Sequence, residues 1–111
     1  MDIKKLVEKY GDYTVEMRRW FHENPELSME EHESTKKITE ELDNMGIEYT
    51  VPDIGAKVGV IGVINGGRPG KTIALRADMD ALNVTEKNEV DYKSKVDGKM
   101  HACGHDGHMA M

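Results

Sequence analysis

The period with which apolar side chains recur changes once along this chain, at Gly46, and that change orders its elements: helices first, strands after. Ile3, Leu6, Val7, Tyr10, Tyr13, Thr14, Met17, Trp20 and Phe21 are spaced three and four apart, on one face of an amphipathic helix. Gly11 weakens that helix without breaking its register. Asn24-Pro25 ends it, because a residue before proline is pushed out of the helical region. Ser28 with Glu31 three residues on has the form of a capping box, so a second helix is predicted from there. Thr35, Ile38, Leu42 and Met45 are its expected buried stripe, and Gly46 supplies a left-handed stop.

Beyond Gly46 the runs are β-branched: Ile47 to Val51, Val58 to Ile64 and Lys71 to Ala77, with turn chemistry at Gly66-Gly67-Arg68-Pro69-Gly70. The second and third runs are expected to form a hairpin. Thr72-Ile73-Ala74-Leu75 does not alternate, which predicts a strand buried on both faces beneath helices. Helices followed by such strands define an α/β layered fold with a mixed sheet. No repeat or low-complexity linker divides the 111 residues, so they are one domain at most, long enough to bury roughly two-thirds of the unfolded surface.

Charge narrows the partners. The net charge of −6 argues against nucleic acid, whose phosphates it would repel. Residues 1 to 57 hold 14 acidic and 8 basic side chains while residues 58 to 111 hold 7 of each, so the acidity lies on the solvated faces of the helical half. No apolar run approaches the ~20 residues that span a bilayer, and no apolar signal core follows Met1-Asp2-Ile3-Lys4-Lys5. A cytoplasmic protein with no membrane partner is expected. The single cysteine cannot form an internal disulfide, which leaves its thiol for metal or redox work or as a small buried group.

Two places carry chemistry. Asp78 and Asp80 follow Leu75 at alternate positions, where extended backbone points both carboxylates the same way and where α/β sheets gather functional groups. The alternative is a loop start in which the aspartates bind backbone amides. Further on, His101-Ala102-Cys103-Gly104-His105-Asp106-Gly107-His108 puts three of five histidines beside the only thiol, where composition predicts about 0.4 histidines. Cys103 and His105, one residue apart, can face one ion on an extended or turning segment, with Gly104 allowing the backbone to fold tightly. His101 and His108 stand as further ligands, supports for ligands or substrate contacts. These donors suit zinc, cobalt, nickel or manganese better than magnesium or calcium, with a thiolate least natural for manganese. Asp78, Asp80 or Asp106 can take the spare ring N–H of a liganding histidine. A closed structural zinc site needs four donors, and these short spacings match no paired-ligand finger pattern, so the remaining ligands are expected from other chain.

The strings Ala74-Leu75-Arg76-Ala77-Asp78-Met79-Asp80-Ala81-Leu82 and Met100 to His108, with Arg18-Arg19-Trp20-Phe21-His22-Glu23-Asn24-Pro25-Glu26-Leu27 before them, closely resemble the N-terminal part of the metal-dependent amidohydrolases. That group includes hippurate hydrolases, aminoacylases and indoleacetyl-amino-acid hydrolases, related to aminopeptidase- and carboxypeptidase-type metallopeptidases. The resemblance runs from about Tyr13 to Met111. It implies an incomplete zinc-exopeptidase-like catalytic domain, residues 1–111 being its N-terminal, metal-binding portion and a smaller dimerisation or lid domain lying elsewhere. It further implies two divalent ions (zinc, manganese, cobalt or nickel), Cys103 and His105 as metal ligands with Cys103 the bridge, and Asp80 orienting a ligand ring without touching metal. The complete protein would hydrolyse small N-acyl amino acids or related amides and form a homo-oligomer. Its general-base glutamate and remaining ligands are not among these residues, so the chain alone is expected to be inactive. Asn83 stands where the family usually has proline and Met109 where threonine is common; neither touches a proposed ligand. A stand-alone metal-binding module and a thiol-redox protein using Cys103 are the alternatives.

Overall fold

The computed structural model describes all 111 residues, Met1–Met111, and begins with the two expected helices. Helix α1 (Ile3–Glu23) starts at Asp2, whose Oδ1 accepts from the Lys5 N–H at 3.3 Å. It stops at Asn24, whose side-chain amide folds back to donate to the Trp20 carbonyl at 2.7 Å. Helix α2 (His32–Met45) ends as expected on Gly46, at φ 68°. There the Ile47 N–H donates to the Leu42 carbonyl and the Gly46 N–H to that of Asp43, a Schellman closure that turns the chain sharply.

The start of α2 differs from expectation. Ser28 and Glu31 form no capping box: residues 27–31 are a turn in which Met29 takes φ 68°, so Ser28 lies too far back to cap. Glu26 does that work from further upstream, its carboxylate accepting from the N–H groups of Glu33 at 2.9 Å and Ser34 at 2.6 Å. An anion there also faces the positive end of the helix dipole.

The turn at Gly46 delivers strand β1 (Glu48–Thr50) beside strand β2 (Ile61–Val63). They pair antiparallel, with Glu48 opposite Val63 and Thr50 opposite Ile61. Gly62 faces Leu42 and Ile47, and a Cβ there would make ordinary contact, 3.6 Å from Leu42 Cδ1 and 3.7 Å from Ile47 Cγ2. Pro52, with no N–H to offer, follows β1 closely. The sheet is therefore this two-stranded ribbon. The expected hairpin of 58–64 with 71–77 does not form, because β2 is taken by β1. Nor is Thr72–Leu75 buried: no backbone hydrogen bond joins residues 71–77 to another segment, and Ile73 and Leu75 are 83% and 95% exposed. Order and class are α/β as predicted, but the mixed sheet is represented here by one antiparallel pair.

A short helix, α3 (His105–Ala110), closes the chain and packs against α1. Little apolar surface is sealed. The radius of gyration is 15.4 Å against about 13 Å for a compact chain of this length. The accessible surface, 8345 Å², likewise exceeds the roughly 6,200 Å² expected for this mass. Met17, Phe21, Val58 and Ala81 are the buried hydrophobic residues, so the stripe of α1 is interior only toward its C-terminal end; Ile3, Val7 and Tyr10 are exposed, as is Met45 of α2. Buried polar residues are more numerous: His22, Glu31, Ser34, Thr35, Glu86, His101 and Asp106. Thr35 is typical, accepting from the Gly59 N–H at 2.9 Å while its hydroxyl donates to the Glu31 carbonyl at 2.6 Å. Tyr13 ties the helices together by donating to Glu41 Oε2 at 2.8 Å.

Two outcomes follow for stability. Glu26→Ala, by uncapping α2, should lower the unfolding free energy measured in urea by about 1–2 kcal/mol. Burial, then the hydrogen bond to Glu41 and the charge of that carboxylate, push the Tyr13 hydroxyl up from 10.0 to about 12. Because the folded value is the higher one, this contribution is complete below pH 10 and is lost as the pH rises toward 12. The urea midpoints of wild type and Tyr13→Phe should therefore converge across that window.

Candidate metal centre

Two segments bring the chemistry together, and backbone bonds hold them in register. The Ala81 N–H donates to the Glu26 carbonyl at 2.7 Å, fixing the end of the extended segment that carries Asp78 and Asp80. One residue later Leu82 and Met100 exchange N–H···O bonds of 2.9 and 3.0 Å as an isolated antiparallel bridge. That bridge lays Asp80 beside the stretch leading into His101, Cys103 and His105. Gly104, at φ 93°, makes the left-handed turn into α3, so His105 is the first residue of a helix where an extended or turning segment was expected.

His105 and Asp80 meet as the sequence suggested. His105 Nδ1 lies 2.9 Å from the Asp80 carbonyl oxygen and 3.0 Å from Asp80 Oδ1. A carbonyl oxygen only accepts, so Nδ1 carries the hydrogen and donates. That leaves Nε2, on a ring still 23% exposed, as the atom turned away from Asp80, with Asp78 Oδ2 3.9 Å from it. Asp78 is itself held by Arg76, whose Nε and Nη2 both donate to its Oδ1 at 2.9 and 2.8 Å. Arg76 is largely exposed, so this pair steers the carboxylate more than it stabilises the fold. The Cys103 thiol is free and exposed.

The four donors of the terminal cluster do not converge. No three His, Cys, Asp or Glu side chains lie close enough together to hold an ion by themselves. His108 stands on α3 with its ring centroid 6.5 Å from that of His105. His101 is buried, neither ring nitrogen has a hydrogen-bond partner, and burial pushes its imidazole below the usual histidine range against the opposing pull of Asp106. The local four-donor cage of a stand-alone module is thus not assembled.

Of the three carboxylates that could have met a histidine of the terminal cluster, Asp106 instead turns into the interior. Its Oδ2 accepts from His22 Nδ1 at 2.8 Å and Arg18 Nε at 2.9 Å, and its Oδ1 from the Gly107 N–H at 3.0 Å. His22 Nε2 in turn faces Glu86, 2.9 and 3.1 Å from its two oxygens. Glu86 also accepts from the Ser94 N–H at 2.8 Å and the Asn88 amide at 3.2 Å. Burial pushes the Glu86 carboxyl up, but these donors outweigh it and hold the group below the usual glutamate range. Tyr92 covers the cluster, its ring edge-on to His22 and beneath the guanidiniums of Arg18 and Arg19. Glu86 could not have been picked out from the sequence, since Thr85-Glu86-Lys87-Asn88-Glu89 reads as a solvated loop.

Helices that feed an extended segment, with two carboxylates at its end beside the histidine that opens α3, define an α/β scaffold that gathers polar chemistry where that segment ends. The comparisons agree. Residues 74–111 match the family described as peptidase family M20/M25/M40. Thermostable carboxypeptidase 2 of Saccharolobus solfataricus is 50% identical over 109 residues, which are 98% of this chain and 28% of that protein. The IAA-amino acid hydrolase ILR1-like 2 of Arabidopsis thaliana is 55% identical over 100 residues, 90% of this chain and 22% of its own length. Among solved structures, the YXEP protein of Bacillus subtilis, described as a dinuclear metal binding peptidase of the M20 family, superposes with a TM-score of 0.85 at 48% identity. That match covers 93% of this chain and 28% of the other. Over nearly its whole length the chain is thus similar to members of peptidase family M20/M25/M40, and it spans between a fifth and a third of the length of these relatives.

Proposed function

We propose that these 111 residues are the N-terminal portion of the catalytic domain of a cytoplasmic, homo-oligomeric, metal-dependent hydrolase that cleaves the amide bond of N-acyl amino acids or closely related small amides and peptides. The observation that carries this is the pair of contacts from His105 Nδ1 to Asp80, which commits one ring nitrogen and leaves Nε2 as a donor atom. Relatives named as carboxypeptidases and as IAA-amino acid hydrolases support the substrate class, and a neighbour described as dinuclear metal binding supports two ions.

The residues fit such a centre in part. An exposed thiol and an oriented imidazole suit zinc, cobalt, nickel or manganese, and two donors are fewer than any such ion takes. Cys103 and His105 are the metal ligands of this reading. Divalent ions bound there would polarise the scissile carbonyl and make water acidic enough to attack near neutral pH. Asp80 holds the His105 ring in one tautomer and one orientation, so that Nε2 meets the ion without reorganisation. Asp78, steered by Arg76, presents a carboxylate on the same side. None of these groups is assigned the proton transfer from water, which belongs to a base outside these residues.

In the complete protein, Cys103→Ser should lose at least one of the bound ions, read by metal analysis, and lower kcat/KM on a panel of N-acyl amino acids by 100-fold or more, on the order of 3 kcal/mol. Unchanged metal content and hydrolysis would overturn the assignment. Asp80→Ala should weaken metal binding by about 10-fold, the low end for an orienting partner, because the Asp80 carbonyl still accepts from Nδ1.

A further inference from the structure

Asp106 follows His105 directly, sits in the first turn of α3 and is 1% exposed. Every bond it makes therefore bears on where that helix begins. Two of them come from α1, from Arg18 and His22. His22 is 3% exposed in the last turn of a 21-residue helix, a rigid mount, and its other nitrogen is tied to Glu86.

We propose that His22 is a positioning residue for the candidate metal centre: by bridging Glu86 and Asp106 it sets the place of the α3 start, and with it Cys103 and His105. This rests on the function proposed above. Three things make the bridge more than packing. Both ring nitrogens lie within hydrogen-bond distance of carboxylate oxygens, and a ring turned over would put carbon atoms there, so the imidazole stands in only one orientation. Each carboxylate is closed off by further donors, Gly107 and Arg18 on one side and Ser94 and Asn88 on the other, so neither can swing to compensate for a lost partner. Finally, α3 has only six residues and no side-chain cap at its start, so it lacks the internal stability to hold its own position.

A merely structural His22 would change stability and leave the ligands where they are. The test is made in the complete protein with His22→Gln, Glu86→Gln and, as a control that removes the Tyr13 and Lys37 bonds to α2 away from the cluster, Glu41→Ala. Cobalt is the probe, read by the thiolate-to-metal absorption of Cys103 and by binding titration; amide exchange of α3 is followed in the metal-free protein. His22→Gln should weaken cobalt binding about 10-fold, diminish the thiolate band, lower kcat more than it raises KM, and speed exchange at Gly107 and His108 at least 10-fold. Glu86→Gln, which keeps an acceptor for Nε2, should do the same to a smaller extent, about 3-fold, and it decides the matter if His22→Gln does not fold. Glu41→Ala should lower stability while leaving band and affinity as in the wild type. A His22→Gln protein that loses stability like the control yet keeps wild-type cobalt affinity and α3 exchange overturns the proposal alone. A wild type with no thiolate–cobalt band overturns it together with the metal centre.

Discussion

One carboxylate couples the two halves of this chain. Asp106 is buried against α1, where it is met by a guanidinium and an imidazole, and it belongs to the residue next to His105. A buried carboxylate is costly unless its oxygens are fully satisfied, and satisfying this one requires the end of α1, the start of α3 and, through His22, the loop that carries Glu86 to occupy fixed positions together. Apolar burial does not impose that geometry here, since buried polar residues outnumber the buried hydrophobic ones. Hydrogen-bond direction does, and it is far less tolerant of displacement than apolar contact.

The same reliance on directional bonds appears wherever segments distant in sequence meet. Glu26 offers its carboxylate to the start of α2 and its carbonyl to Ala81, so one residue after Pro25 anchors both the second helix and the segment that delivers Asp80. The Leu82–Met100 bridge then aligns that segment with the stretch leading to Cys103. In contrast, the most apolar extended stretch, around Ile73 and Leu75, is exposed and unpaired. Its continuous apolar character is that of a strand with neighbours on both edges and covers on both faces, while these 111 residues supply neither.

Local signals were legible where the cause is local. The proline after Asn24, the glycine at 46 and the three- and four-residue spacing of apolar side chains act through backbone sterics within one or two turns, and the two helices lie where those signals put them. The capping box at Ser28 misled because it is a pattern of residue types, and a carboxylate two residues upstream caps a helix that starts at His32, four residues after Ser28, through the amides of Glu33 and Ser34. At the candidate site, Asp80, Cys103 and His105 were legible from residue type and spacing, and the contact of Asp80 with His105 agrees. Asp106 stood in the sequence only as one of three candidate partners for a histidine, and Glu86 was not visible at all, because each meets His22 across 64 to 84 residues of chain.

By itself the sequence determined the order of elements and the stops of the two helices, since these depend on dihedral restrictions, and it singled out Cys103 and His105 as candidates through the chemistry that each residue carries with it. Tertiary structure alone decided which strands pair and which carboxylate locks α3 to α1. Those choices turn on the direction and distance of single hydrogen bonds between remote segments, and no periodicity along the chain encodes them.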